Sequence, residues 1–254
     1  MAHPRDVSAV RVHTNRWKAR AMGIPRILTR LGEIVLPSSC GGCGLPGEDL
    51  CAACIAQIWW RREPVCRGCG QVVDTPETVH RCGDCRGRPI LFADHAAAYD
   101  GPVANAISEL KDRGRSPLAR VLAEIVVQRV ARPDSAVLVP VPLDRRRART
   151  RGFNQAERIA TALGELWELP VVHALERTRP AVAQRGASRT DRLRQVAGAF
   201  TAIPVIPTGR LVIIDDVHTT GATLAACARA LRRSGATTVA AITVARVWPS
   251  YIRR

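Results

Sequence analysis

The sequence predicts an α/β protein in which a parallel β-sheet is flanked by helices and is preceded by a small cysteine-rich module. Between residues 94 and 244, apolar runs of strand length alternate with amphipathic stretches of helical length. Eight of the nine cysteines form four Cys-x-x-Cys pairs ahead of that region. The 254 residues are enough for one α/β core together with a small second module.

Composition argues against a membrane span and a secretory signal, and it divides the chain into three predicted parts. No stretch reaches about 18 uninterrupted apolar residues, so we expect no membrane span. The apolar core of a secretory signal is also missing, so we expect a cytoplasmic protein. The predicted parts are a basic tail with a short helix (1–37), the cysteine-rich module (38–88) and the α/β domain (89–254).

The N-terminal part is polar, basic and aperiodic over residues 1–21. Such a segment is typical of a disordered tail, and Met22 is an alternative start of the chain. A basic segment of this kind also fits a transit sequence. Residues 24–36 suit a short amphipathic helix that ends at Pro37.

The cysteine pairs predict two structural zinc sites. Four Cys-x-x-Cys pairs within about 46 residues are typical of tetrahedral thiolate zinc sites, and four thiolates complete one zinc shell. Their spacing leaves sequential and interleaved pairing open. Disulfides fit less well, because no secretory signal is present. The predicted ligands are Cys40, Cys43, Cys51, Cys54, Cys66, Cys69, Cys82 and Cys85. We expect Cys227, which stands among small apolar residues, to be a buried free thiol.

The α/β domain alternates strands and helices, which predicts a parallel sheet with its ligand at the carboxyl ends of the strands. Gly114 and Pro117 separate two of the helices, and Gly235 suits a helix C-cap. The predicted strands are residues 94–99, 136–141, 171–174, 210–214 and 238–244. The predicted helices are residues 103–112, 117–130, 155–166 and 222–234.

Residues 211–223 predict a binding site for a phosphorylated sugar. An apolar strand is followed by Asp215 and Asp216, whose carboxylates can accept hydrogen bonds from vicinal ribose hydroxyls. A loop rich in threonine then leads into a helix, where Gly221 allows close approach of a phosphate and free N–H groups favour an anion. An apolar strand that ends in two aspartates also occurs at phosphate-accepting sites and simple helix caps. The loop favours the sugar phosphate, and its residues are Thr219, Thr220, Gly221, Ala222 and Thr223.

These thirteen residues resemble the phosphoribosyl pyrophosphate (PRPP) motif of type I phosphoribosyltransferases. The resemblance implies that Asp215 and Asp216 contact the 2′ and 3′ hydroxyls and that residues 219–223 hold the 5′-phosphate. It also implies Mg²⁺, bound mainly through oxygens of PRPP and water. The fold implied is the type I phosphoribosyltransferase sheet.

A second stretch narrows the resemblance. Residues 137–143 read Val-Leu-Val-Pro-Val-Pro-Leu, and an arginine-rich segment leads from there to Gly152-Phe-Asn-Gln-Ala-Glu157. This pattern is similar to the ComF family of competence-associated proteins, which carries a double zinc ribbon and so favours sequential cysteine pairing. The resemblance implies contacts to pyrophosphate, mostly through backbone groups, from Pro142, Leu143, Asp144 and Arg145. Arg151 and Asn154 are motif positions, and Arg151 is a further candidate contact. Arginine runs are usually solvated, but this run follows a strand end.

Residues 177–192 form a polar segment without clear periodicity. By resemblance this segment is a loop that closes over PRPP and excludes water. Gln184 and Arg192 match family positions, whereas Gln195 stands where the family often has asparagine. A simple surface loop is the competing interpretation.

The formal net charge of +16 favours polyanionic partners, such as nucleic acid or PRPP. The arginines are spread along the chain, and stacking aromatics are scarce except for Trp59 and Trp60. We expect that tryptophan pair to pack within the cysteine-rich module. Nucleic-acid binding is therefore compatible with the sequence but is not diagnosed by it.

Two function hypotheses follow. The first is a Mg²⁺-dependent phosphoribosyltransferase, in which an unknown acceptor displaces pyrophosphate at C1 of the ribose. Enzymes that act on 6-oxopurines carry an acid where Thr219 stands, which argues against that substrate class. His218 is a candidate acid–base residue beside Asp215 and Asp216, or a residue that only covers the ribose. The second hypothesis is a non-catalytic factor in DNA uptake or recombination, with single-stranded DNA or uptake proteins as partners. The sequence predicts no oligomeric state.

Overall fold

The computed structural model describes residues 38–61, 64–66, 68–70, 82, 85, 89–179, 196 and 198–248. The predicted tail and first helix (1–37) therefore lie outside the described residues. Most of the predicted closing loop lies outside them as well, including Gln184 and Arg192, and so does Gln195, which follows the loop.

Four long parallel strands and five longer helices make up most of the described structure. In chain order the elements are α1 (Ala52–Ala56), β1 (Ala93–Ala98), α2 (Gly101–Arg113), α3 (Pro117–Val127), β2 (Ala136–Pro140), α4 (Arg145–Arg151), α5 (Gln155–Trp167), β3 (Leu175–Arg177), β4 (Phe200–Ala202), β5 (Arg210–His218), α6 (Ala222–Arg233) and β6 (Thr238–Arg246).

The main sheet has the order β1-β6-β5-β2, and every pair in it is parallel. The two central strands are almost entirely buried, as expected when both faces of a parallel sheet are covered. The predicted sheet flanked by helices is thus confirmed. β3 and β4 form a separate two-stranded antiparallel sheet.

Alternation along β5 divides the core between the two faces of the sheet. Val212 and Ile214 pack with α2, α3 and α5 on one face. Leu211 and Ile213 pack with α6 and the two-stranded β3–β4 sheet on the other. Successive side chains of a strand point to opposite faces, so a run of apolar residues is needed to bury both.

The structure corrects two sequence predictions and adds one helix. The predicted strand at 171–174 is wrong, because Val171 makes only one isolated parallel bridge, to Leu138. The strand predicted to end at residue 214 continues to His218, since β6 pairs with it over that length. The arginine-rich segment after β2 is helical from Arg145 onward, because the Asp144 side chain caps it by accepting from the Arg147 N–H.

The cysteine-rich module packs directly on the α/β core, and residues Ser39–Arg254 form one compact unit. Cys40, Leu50 and Cys54 belong to the same buried cluster as α2 and α3. The Asn105 amide donates to the Gly42 carbonyl at 2.7 Å, which ties the first cysteine turn to α2. Burial against the core therefore helps to fold a module that is too short to bury a core of its own.

Trp60 contacts the α/β domain rather than only the module. It forms an antiparallel bridge with Ala97 of β1, and the Arg129 guanidinium lies 4.8 Å from its ring centre. Trp59 is 45% exposed. Among the helices of the described residues, none is long and apolar enough to cross a membrane.

Candidate functional site

Two cysteine clusters have the geometry of tetrahedral zinc sites. In each cluster the four sulfur atoms lie within 4.8 Å of one another. The Sγ atoms of Cys40 and Cys54 are 3.6 Å apart, and those of Cys66 and Cys85 are 3.4 Å apart. A tetrahedral zinc with Zn–S bonds of about 2.3 Å requires sulfur separations of about 3.8 Å. The eight thiols thus fit two zinc ions, and all nine cysteines of the chain are free of disulfides.

The cluster membership shows which cysteine pairs share an ion. The first cluster is Cys40, Cys43, Cys51 and Cys54, and the second is Cys66, Cys69, Cys82 and Cys85. Sequential pairing is therefore confirmed, and interleaved pairing is excluded. A tight turn presents both sulfurs of a Cys-x-x-Cys pair on one side, so consecutive pairs meet without crossing the chain.

Backbone N–H groups prepare one thiol of each cluster for deprotonation. Burial alone would raise the pKa of the Cys40 thiol, but N–H groups of Cys51, Cys43 and Gly42 outweigh it and lower the pKa to about 6. Burial opposes the same effect at Cys66, where N–H groups and the Cys85 thiol lower the pKa to about 7. Zinc binds the thiolate form, so both clusters are chemically suited to the metal.

The two aspartates predicted to hold ribose lie near the carboxyl end of β5, beside the centre of the sheet. Asp216 is buried, and its Oδ2 lies 2.7 Å from the Lys111 ammonium of α2. Asp215 is partly buried, and its Oδ1 accepts a hydrogen bond from the Asp216 N–H at 2.9 Å. The sequence did not single out Lys111, because no local pattern links a helix residue to a strand about 100 positions later.

Burial and the neighbouring carboxylate raise the pKa of Asp215 to about 7, although the Lys111 ammonium opposes this shift. The two carboxyl groups therefore have different electrostatic surroundings. Asp216 is paired with a cation, whereas Asp215 ionises near neutral pH and so gains most from an added hydrogen-bond donor or cation.

The loop after β5 leads directly into α6. Gly221 precedes the helix with a φ of 75°, a left-handed conformation that glycine adopts without strain. The N–H of Ala222 donates to the Thr220 hydroxyl at 3.4 Å, and Gly221 provides no side-chain cap. Thr219 is exposed, and Thr223 is partly buried in the first turn. The remaining N–H groups of the first turn of this 12-residue helix suit an anion.

The loop after β2 is held by side chains on both sides. The Asn154 amide, which also caps α5, donates to the Val141 carbonyl at 2.9 Å. Asp144 is buried and accepts a hydrogen bond from the N–H of Arg147, so its carboxylate caps α4. Pro142 and Leu143 are partly buried, which leaves their backbone groups beside the strand end.

Two predicted contact arginines occupy different surroundings. Arg145 is exposed in the first turn of α4. Arg151, at the end of that helix, donates to the Gln155 side chain at 2.7 Å and lies 3.6 Å from Asp112. The structure thus brings Arg145 to the rim of the loop after β2 and ties Arg151 to α5 and α2.

A cavity of about 790 Å³ opens between α4 and β3. Arg177 is its most enclosed cation, and its guanidinium lies 5.0 Å from the Phe200 ring centre. Burial lowers the pKa of Arg177, which also lies in the field of Asp144 and Asp215. The sequence places Arg177 only at the start of a predicted loop. The arginines of the lining are Arg145, Arg146, Arg149, Arg177 and Arg179.

His218 ends β5 and is only 2% exposed. Nη1 of Arg246 lies 2.9 Å from its Nδ1 and 3.0 Å from its Nε2. The sequence placed His218 next to the aspartates but did not identify Arg246, its neighbour on β6.

Comparisons with known proteins agree with this organisation. Residues 31–86 match the model of the double zinc ribbon domain. The DNA utilization protein YhgH of Salmonella typhi is 31% identical over 223 residues, which cover 81% of this chain and 96% of that protein. Competence protein F of Haemophilus influenzae is 27% identical over 77% of this chain and 89% of its own length. The chain belongs to the ComF family.

Among solved structures, one match is to a larger protein. The glutamine PRPP amidotransferase of B. subtilis is 22% identical to this chain with a TM-score of 0.34. The match covers 51% of this chain and 25% of that protein.

Proposed function

We propose that this ComF protein binds PRPP together with Mg²⁺ and transfers the phosphoribosyl group to an acceptor, with release of pyrophosphate. One observation carries the proposal: two adjacent aspartates near the end of a central parallel strand, followed by a left-handed glycine and the start of a long helix. That arrangement supplies acceptors for sugar hydroxyls and donors for a phosphate within a few residues.

In the proposed complex, Asp215 and Asp216 accept hydrogen bonds from the ribose hydroxyls. Residues 219–223 and the first turn of α6 donate to the 5′-phosphate. Backbone groups of Pro142, Leu143, Asp144 and Arg145 face the pyrophosphate, with the arginine-lined cavity beside them. Arg151 stays a candidate contact, and to reach the ligand it would have to break its hydrogen bond to Gln155. Mg²⁺ would add positive charge to the pyrophosphate oxygens, and Asp215, whose pKa is raised by burial and by Asp216, is the carboxylate that would gain most from a nearby cation.

Transfer requires the bond between C1 and pyrophosphate to break as the acceptor attacks. The aspartates orient the ribose, and the cations of the cavity rim favour the negative charge that leaves. We propose that His218, which is buried against Arg246, fixes the end of β5 in addition to any acid–base role.

Calorimetric titration of Mg²⁺-PRPP into the zinc-loaded protein tests the proposal. We expect micromolar binding to the wild type and loss of at least about 100-fold in Asp215→Asn/Asp216→Asn, since hydrogen bonds to charged groups contribute about 1.5–3 kcal/mol each. Asp134→Asn, an exposed aspartate on the loop before β2, is the matched control and should bind as the wild type does. Absence of binding to the wild type would end the proposal.

We propose a second function only because relatives carry DNA utilization and competence names. In this alternative the basic protein binds single-stranded DNA or uptake proteins without catalysis, in the cytoplasm where thiolate zinc sites are stable. Anisotropy of a labelled single strand separates the two functions. DNA binding that persists in the double aspartate variant supports the alternative, and binding that PRPP abolishes favours one shared anion site.

A further inference from the structure

Arg246 lies between the second cysteine cluster and the end of β5. Its Nη1 donates to the backbone carbonyl of Cys69 at 2.5 Å. The same nitrogen lies 2.9 Å from Nδ1 of His218. One guanidinium thus contacts Cys69, a predicted zinc ligand, and His218, a strand residue that lies 149 positions further along the chain.

This bridge is buried. Arg246 is 7% exposed and His218 is 2% exposed. A guanidinium only donates hydrogen bonds, so the Cys69 carbonyl and the His218 ring both serve as its acceptors. Hydrogen bonds to a charged donor are strong away from water, and a buried guanidinium that loses its acceptors is costly. The contacts therefore constrain the relative positions of the cysteine turn and the strand end.

On the zinc side, the turn that carries Cys69 is seated against the sheet. Gly70 has a φ of 69°, and a Cβ there would lie 2.8 Å from Nδ1 of His95. Nε2 of His95 in turn accepts from the Trp248 indole at 3.2 Å. The position of the Cys69 carbonyl is thus set by the four-thiol cluster on one side and by the sheet on the other.

On the ligand side, His218 stands between the aspartates and the phosphate loop. It follows Asp216 by two residues and immediately precedes Thr219. Its register partner across the ladder is Arg246, and its carbonyl accepts from the Val247 N–H at 3.0 Å. A shift of His218 therefore moves the start of the loop that we propose to hold the 5′-phosphate.

We propose that Arg246 is a positioning residue that makes ligand binding at the β5 loop depend on the second zinc site. The inference rests on the proposed function for its ligand, but the bridge itself can be tested without that ligand. The first zinc site, which packs on α2 and α3, serves as the internal comparison.

The test compares two cysteine variants that each remove one ligand with an accessible sulfur. Cys82→Ser disrupts the second site and Cys43→Ser the first, and zinc analysis should show about one ion lost in each case. We expect Mg²⁺-PRPP affinity to fall about 5- to 100-fold in Cys82→Ser, the usual range for coupled sites, and to fall clearly less in Cys43→Ser, whose site is linked to Asp216 only through α2 and its Lys111. Equal losses in both variants would overturn the inference.

Arg246 itself supplies the second comparison. Arg246→Met removes all donors and should reproduce the affinity loss of Cys82→Ser with both zinc ions retained. Arg246→Lys keeps a cation and should recover part of the affinity. Circular dichroism confirms folding first, and if Arg246→Met does not fold, the lysine and cysteine variants decide the question.

A readout without PRPP separates this inference from the proposed function. The ¹⁵N resonances of the His218 ring report its contact with the guanidinium. We expect them to shift in Cys82→Ser and Arg246→Met but not in Cys43→Ser. If the wild type binds no PRPP, the proposed function fails while these shifts still decide the bridge, and unchanged resonances would refute it.

Discussion

Asp215 should make the stability of the protein depend on pH, and Asp215→Asn should remove that dependence. Burial and the Asp216 carboxylate raise its pKa from 3.8 to about 7 in the native state. The native carboxyl therefore binds its proton more tightly than the unfolded one. The stability associated with that proton is present at low pH and is lost as pH rises through the native pKa.

The magnitude follows from the shift. Once the carboxyl is ionised in both states, a shift of about 3 pKa units corresponds to about 4 kcal/mol of lost native stability. Between pH 6 and pH 8 the unfolded carboxyl is already ionised while the native one ionises. Over that interval the free energy of unfolding of the wild type should fall by about 1.4 kcal/mol, and that of Asp215→Asn should not show this fall.

Urea unfolding at pH 6 and pH 8 measures the difference while the thiolates stay available to zinc. Asp215→Asn should be more stable than the wild type at pH 8, with a smaller advantage at pH 6. Asp216→Asn should be less stable than the wild type, because it breaks the ion pair with Lys111 and leaves that ammonium without its carboxylate. Asp134→Asn controls for loss of a surface charge.

Parallel pH curves for Asp215→Asn and the wild type would refute the reasoning. So would an Asp215→Asn protein that is less stable than the wild type at pH 8. Either result would mean that solvent or the Lys111 ammonium already stabilises the Asp215 carboxylate in the absence of a ligand.

Three further predictions concern the zinc sites, the phosphate loop and α4. Zinc analysis should find two ions per chain, and Cys227→Ser should keep both, because that buried thiol lies outside the two clusters; a single ion would contradict the cluster geometry. Gly221→Ala should cost about 1 kcal/mol of stability, since its φ of 75° disfavours a side chain, and should also weaken PRPP binding in calorimetry; an unchanged affinity would place the phosphate elsewhere. Asp144→Ala should lower the free energy of unfolding in urea by about 1 kcal/mol, because it removes the cap of α4. Asp144→Asn should keep most of the wild-type stability, because asparagine also caps helices. Equal losses in the two variants would show that the charge, not the cap, matters.

Much of the fold was predictable because it depends on short-range patterns. The apolar strands that pair in the main sheet, apart from their exact ends, were visible as runs between turn residues. The cysteine spacing predicted two zinc sites without any knowledge of the core. The aspartates and the glycine loop were adjacent in the sequence, so their proximity required no tertiary information.

Other features depended on pairing that no local pattern encodes. The strand predicted at 171–174 failed because a strand exists only where a neighbour supplies a full ladder, and Val171 has one bridge. The helix at Arg145–Arg151 arose from a cap that local propensity alone does not guarantee. Which cysteine pairs share a zinc was open until the chain path was known, since both arrangements satisfy the same chemistry.

The sequence by itself determined which groups the chain brings together locally: thiolates suited to zinc, two adjacent carboxylates and a glycine turn, the last two of which we propose to hold a sugar phosphate. Only the tertiary structure decided how these groups influence one another. Lys111 reaches Asp216 from a separate helix, and Arg246 joins the cysteine turn to His218. The physical reason is that charge interactions depend on distance and burial in space, and folding brings together residues that are far apart along the chain.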